Sequence, residues 1–169
     1  SSMTNPKPII LFDLDGTLID SAPDLVGTLN IILKRHGRTT LTISAVKKLV
    51  GNGARALLER GFKETGAPAE NLDALTVEFI ETYVPNCAVL SRPFSGVIET
   101  LDTFANSGYR MAVCTNKPQA PSETILTELG LMQYFEVVVG GDFFPMRKPD
   151  PQHLLGALQL MDAPENPAI

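Results

Sequence analysis

The 169-residue sequence is short of several things, and each shortage excludes a class of protein. It has two cysteines, Cys87 and Cys114. That is too few for the disulfide framework of a small secreted domain. None is needed, because a chain of this length buries roughly 70% of the surface it exposes when unfolded. Cations are outnumbered, 14 Lys and Arg against 19 Asp and Glu, for a net charge of −5. A nucleic-acid coat or a membrane-surface binder needs the opposite field. No uninterrupted apolar run exceeds four residues, the length of Ile9–Phe12; a membrane helix needs about 18 to 20. With His36 and His153 the only histidines and no His or Cys pair at ligand spacing, a zinc site is not expected. No Gly-Lys-Ser/Thr phosphate loop occurs. A signal peptide is not expected, and the reading is a reduced, cytoplasmic protein with neither nucleic-acid nor membrane partners. Ser1-Ser2 ahead of Met3 reads as an expression remnant, outside the fold.

What is present is patterned. Pro8–Asp13 holds a short apolar run, fit for a strand buried on both faces. Ser21 then opens a helix with Pro23 and Asp24 in its first turn and Leu25, Val26, Leu29, Ile32 and Leu33 on one face. Weaker helices are predicted at 43–50 and 53–60, and an amphipathic one over Asn71–Val84. No strand is predicted across 21–90, so this stretch is a helical block. Beyond it the period changes. A helix capped by Ser95 is followed by a strand over Arg110–Thr115 and a helix at 121–129. A strand over Phe135–Val139 and a helix at 151–161 complete the pattern. Alternating strand and helix at this spacing argues for an α/β fold with a parallel sheet.

Chemistry gathers where strands end. Asp13-Leu14-Asp15-Gly16-Thr17 closes the first strand. Alternate residues of an extended segment share a face, so both carboxylates tend toward the strand's carboxyl end, the edge at which open α/β sheets bind ligands. Two close carboxylates repel unless a cation bridges them or one holds a proton. Both conditions suit phosphoryl transfer, with one carboxylate attacking phosphorus and the other protonating the leaving oxygen. Gly16 lets the backbone turn and bring N–H groups near an anion. An acidic strand end with a solvated turn is the plainer alternative. Thr115-Asn116 ends the second strand and Lys148-Pro149 follows the third. A hydroxyl, an amide and an ammonium at successive strand ends can hold phosphate oxygens. Taken singly, each is an ordinary capping or surface residue.

These three groups, in order, resemble the first three motifs of the haloacid dehalogenase superfamily, above all its phosphoglycolate phosphatases and their sugar-phosphate relatives. The likeness spans about 8–160. It implies a Rossmann-like parallel-sheet core over 3–19 and 92–169, with an inserted α-helical cap over 20–91. It also implies a Mg²⁺-dependent phosphatase acting on a small phosphorylated metabolite through an aspartyl-phosphate. In that scheme Asp13 is the nucleophile and Asp15 the acid and base. Asp13 and the Asp15 backbone carbonyl hold Mg²⁺. Gly16, Thr115, Asn116 and Lys148 bind phosphate, and Lys148 also neutralises Asp13. Asp15 favours a phosphatase over a dehalogenase, since halide leaves without a proton. A sugar-phosphate mutase would keep Asp15 too. A receiver-type signalling domain shares clustered aspartates, a Thr and a Lys, but is too compact to hold the block between Asp13 and Thr115. A non-catalytic binding chain is the remaining alternative.

Gly51-Asn52-Gly53-Ala54-Arg55-Ala56 matches a dinucleotide fingerprint, yet a helical pattern precedes it where a strand is required. The resemblance makes Asn52, Gly53 and Arg55 candidates for a cap segment facing the site. His36 reads as a helix C-terminal residue and His153 as surface. The superfamily's fourth motif, an acidic pair completing the Mg²⁺ site, is not found. Ala168-Ile169 is the expected start of its strand, and the chain is expected to be C-terminally incomplete, with weak activity or none as it stands.

Overall fold

A computed structural model describes residues 7–162. Three parallel strands form the main sheet: β1 (Ile9–Phe12), β4 (Arg110–Cys114) and β5 (Val137–Val139), in the order β1-β4-β5. Their register aligns Phe12 with Val113 and Cys114 with Val139. Asp13, Thr115 and Gly140 therefore leave the sheet together at its carboxyl edge. Met111–Cys114 of β4 is fully buried. All four residues of β1 are only half-buried, against the expected two-faced burial, because among the described residues β1 pairs with β4 alone.

Between β1 and β4 the chain makes the expected helical block. It comprises α1 (Ala22–Arg35), α2 (Ile43–Val46), a 3₁₀ stretch over Lys47–Asn52, α3 (Ala54–Thr65) and α4 (Leu72–Tyr83). The apolar face read on α1 is the one that is buried, from Leu25 to Leu33, and α1 packs on α3 and α4. On α4, Asn71 caps the helix by accepting from the Ala74 N–H (3.1 Å). Leu75, Phe79 and Tyr83 then recur at four-residue spacing as its buried stripe. The chain enters and leaves this block through two short antiparallel strands, β2 (Ile19–Asp20) and β3 (Arg92–Pro93), which the sequence pattern does not show.

The remaining helices are α5 (Val97–Asn106), α6 (Gln119–Glu128) and α7 (Pro151–Met161). Ser95 does not cap α5. Gly96 stands at the N-cap with φ +87°, a conformation glycine adopts without strain. His153 is wholly buried on α7, not at the surface. Its Nε2 lies 2.9 Å from the Gly140 carbonyl and its Nδ1 3.3 Å from Cys114 Sγ. With Nε2 donating to the carbonyl, Nδ1 accepts from the thiol, so the imidazole locks α7 behind β4 and β5. Ala168-Ile169, read as the start of a further strand, lie outside the described residues.

Asp24, which is 7% exposed, ties the start of α1 to the end of the block just ahead of β3. Its Oδ2 accepts from the N–H groups of Leu90 and Ser91 (2.8 Å each) and from Ser91 Oγ (2.7 Å). Asp24→Ala strands the buried Ser91 N–H and hydroxyl and the part-buried Leu90 N–H, and a loss of about 2–3 kcal/mol is expected. In thermal denaturation this appears as a melting point lower by roughly 5–10 °C; an unchanged melting point would deny Asp24 that role.

Candidate active site

The sheet's carboxyl edge opens into a cleft of about 800 Å³ whose lining includes Asp13, Gly51, Asn52, Asn116, Arg147 and Lys148. Lys148 Nζ lies 3.2 Å from Asp13 Oδ2 and donates to the Cys114 carbonyl (3.0 Å). The end of β4 thus aims the ammonium at the carboxylate. Asp13 Oδ1 accepts from the Leu14 N–H (2.7 Å), so one oxygen is oriented by backbone and the other by charge. Thr115 is buried, and its Oγ1 accepts from the Lys117 N–H (3.1 Å). Asn116 Nδ2 donates to the Lys148 carbonyl (3.0 Å), tying the end of β4 to the loop ahead of α7. Asn116 Oδ1 is buried and has no hydrogen-bond partner among the described residues.

Two glycines allow this close gathering. A Cβ on Gly141 would stand 2.2 Å from the Asn116 carbonyl oxygen, which is sterically impossible. Gly53, at φ +95°, faces the same carbonyl, at 3.1 Å from its own would-be Cβ, with Arg147 Nη1 at 3.3 Å. The 51–53 turn therefore closes over the cleft from the helical block. Arg55 does not join it. Its guanidinium pairs with Asp73 at 2.5 Å on the exposed side of α3. Gly16 takes the positive φ (+76°) that the turn needs, but its N–H donates to the Ile19 carbonyl (2.9 Å) and is not directed at the cleft.

Asp15 turns inward. Its Oδ1 accepts from Ser21 Oγ (2.6 Å), and Lys117 Nζ lies 3.0 and 3.1 Å from Oδ1 and Oδ2. The side chains of this ion pair are 1% and 4% exposed. Lys117 Nζ also donates to the Tyr83 hydroxyl at the end of α4. Burial, reinforced by the Asp15 charge, pushes the Tyr83 phenol well above its ordinary range. Tyr83 is therefore a neutral acceptor. Burial likewise raises the Cys114 thiol, against the opposing pull of Lys148. Two neighbouring carboxylates raise the question of how they avoid repulsion. Each has its own ammonium: Lys148 for Asp13, Lys117 for Asp15.

Lys117, Tyr83 and Arg147 are functional candidates that sequence reasoning passed over. Lys117 follows Thr115-Asn116 directly, so the strand-end argument applied to them extends to it. Tyr83 looks like one more core aromatic on an apolar stripe. Nothing in the pattern singles out Arg147 beyond its place next to Lys148.

The sequence matches the haloacid dehalogenase-like hydrolase model over residues 10–169. The chain belongs to this family. It is 48% identical over 151 residues to the phosphoglycolate phosphatase of Caulobacter vibrioides, covering 88% of this chain and 64% of that protein. It is 42% identical over 155 residues to that of Agrobacterium fabrum, covering 90% and 66%. The chain thus spans slightly less than two thirds of these relatives' lengths. The crystal structure of a predicted phosphoglycolate phosphatase from Haemophilus somnus superposes with a TM-score of 0.82 at 32% identity, over 97% of this chain and 76% of that one. As in other haloacid dehalogenase-like proteins, the core is a parallel sheet flanked by helices. Among the described residues no helix is long and apolar enough to cross a membrane.

Proposed function

We propose that this protein is a phosphatase that hydrolyses a small phosphomonoester, of phosphoglycolate size, through an aspartyl-phosphate on Asp13. The observation that carries this reading is the pairing of two adjacent carboxylates with two separate lysines at one sheet edge. Asp13, with Lys148 beside it in the open cleft, attacks phosphorus. As the bond to the leaving oxygen breaks, the Asp15 carboxyl gives that oxygen its proton. Asp15 then takes a proton from water, whose oxygen attacks the phosphorus and frees phosphate and the Asp13 carboxylate. Thr115 and Lys148 hold the phosphoryl oxygens, and charge neutralisation is the main catalytic contribution.

The helical block over 20–91 acts as a cap on the core, which among the described residues comprises 7–19 and 92–162. Its Gly51–Gly53 turn lies over the cleft, and Tyr83 reaches the inner side of Asp15. The void beside Asp15, walled by Leu57, Phe79, Tyr83 and Lys117 among others, is only about 10 Å³. The similarity to phosphoglycolate phosphatases is what supports a small leaving group.

The Asp13 carboxylate and the Asp15 carbonyl are hard oxygen donors of the kind Mg²⁺ takes. Among the described residues no cluster of three or more His, Cys, Asp or Glu completes a metal site. These two donors would hold Mg²⁺ together with water and the substrate's phosphate, and the ion would neutralise charge on the phosphoryl group.

The test is phosphate release by the full-length protein from 2-phosphoglycolate and from hexose phosphates, with and without Mg²⁺. Release from the two-carbon substrate exceeding that from hexose phosphates is expected from the similarity to phosphoglycolate phosphatases. Isomerisation of a sugar phosphate without phosphate release would make it a mutase. No turnover of any phosphomonoester would leave a binding function.

A further inference from the structure

We propose that Tyr83, Lys117 and Ser21 are positioning residues that hold the Asp15 carboxyl by Oδ1 and leave Oδ2 to serve the leaving oxygen. This inference rests on the reading of Asp15 as the acid, and deepens it.

Ser21 is the first ground. It stands at the N-cap of α1, where a serine hydroxyl ordinarily accepts from the helix's own N–H groups. Here it makes no such bond. It donates instead to Asp15 Oδ1 at 2.6 Å and is 1% exposed. Lys117 is the second. A lysine at 2% exposure is uncommon, and this one is anchored at both ends. Its N–H donates to Thr115 Oγ1, and its carbonyl accepts from the Gly141 N–H (2.8 Å). Its ammonium is shared between the Asp15 carboxylate and the Tyr83 hydroxyl. Tyr83 is the third. Its ring, with the ammonium 4.3 Å from its centre, closes the far side of the pair.

The donors are unequally distributed. Oδ1 accepts from Ser21 and Lys117, and Oδ2 from Lys117 alone. When Asp15 carries its proton, the oxygen already accepting two donors acts as the carbonyl, and the proton sits on Oδ2. It passes from there to the leaving oxygen as the phosphorus–oxygen bond breaks, with that bond's electron pair staying on the oxygen. Lys117 keeps its hold on Oδ1 and remains an ammonium. Tyr83, from the helical block, thereby fixes the orientation of an acid that belongs to the sheet.

The experiment compares leaving groups in the full-length protein. p-Nitrophenolate departs with little need of an acid, whereas an alkoxide needs one. Tyr83→Phe removes the acceptor and keeps the ring. It is expected to lower kcat/KM on alkyl phosphates about tenfold and on p-nitrophenyl phosphate less than about twofold; kcat/KM covers only the steps up to release of the leaving group, not the later hydrolysis in which Asp15 serves both substrates alike. Ser21→Ala is expected to show the same selective loss, and it decides the matter if Tyr83→Phe does not fold. Equal losses on both substrates in these variants would overturn the positioning role. Asp15→Asn is the control for the underlying reading. Equal losses there would remove Asp15 as the acid. Selective loss in Asp15→Asn without selective loss in Tyr83→Phe or Ser21→Ala would defeat this inference alone.

Discussion

Asp13→Asn is expected to lower phosphate release by at least about 10³-fold, the scale of losing a nucleophile that acts together with its partners. The amide nearly matches the carboxylate in shape, so Lys148, 3.2 Å from Oδ2 in the native protein, still finds an oxygen or nitrogen in place. What is lost is the negative charge that makes the oxygen nucleophilic toward phosphorus and that Lys148 balances. Substrate binding should survive, and with less repulsion between carboxylate and phosphate it should tighten. The combination of lost kcat with an unchanged or lower KM is the signature to seek. Incubation with labelled substrate should leave acid-stable label on the native protein after rapid quenching and none on the variant. Phosphate release persisting in Asp13→Asn above about 1% of native would place the nucleophile elsewhere.

The parts of this site that were legible in the sequence are those in which a residue's chemistry follows from its place on a strand. Asp13, Thr115 and Lys148 sit after apolar strands, and a parallel sheet in register must deliver strand ends to one edge. The helices were legible for a related reason, since the period of Leu25–Leu33 or Leu75–Phe79 states which face is buried. Three kinds of feature were hidden. The β2–β3 ladder joins Ile19–Asp20 to Arg92–Pro93, too short for periodicity to register. His153 reads as an isolated polar residue on a helix, and only the packing of α7 against β4 and β5 shows why it is buried. Lys117 and Tyr83 meet across the chain, each in a run that looks unremarkable alone. The charges that balance the two aspartates are hidden for the same reason: spacing calls only for a bridging cation or a held proton, and tertiary contacts place a lysine against each carboxylate. Arg55, which the resemblance groups with Asn52 and Gly53, pairs instead with Asp73 on the helix surface.

The second large effect expected is on stability. Lys117→Met leaves the Asp15 carboxylate buried, with Ser21 as its one remaining side-chain donor. A broken buried ion pair typically costs about 3–5 kcal/mol. Methionine fills a similar volume, so packing contributes little to the loss. Asp15→Asn alone strands the Lys117 ammonium against a neutral amide and should also be destabilising. The double substitution removes both charges and leaves an amide facing a thioether. Its cost should fall below the sum of the singles by more than about 1 kcal/mol, within the range found for residues in one buried network. Denaturant unfolding of the native, single and double variants measures this coupling directly. Additivity within about 0.5 kcal/mol, the behaviour of independent sites, would mean that the two charges do not depend on one another. The same cycle separates folding from chemistry. The double variant loses less stability than the two singles together while remaining without the Asp15 acid, so partial recovery of the fold with no recovered turnover of alkyl phosphates is the expected pairing. Restored turnover in that variant would show that neither charge takes part in proton transfer to the leaving oxygen.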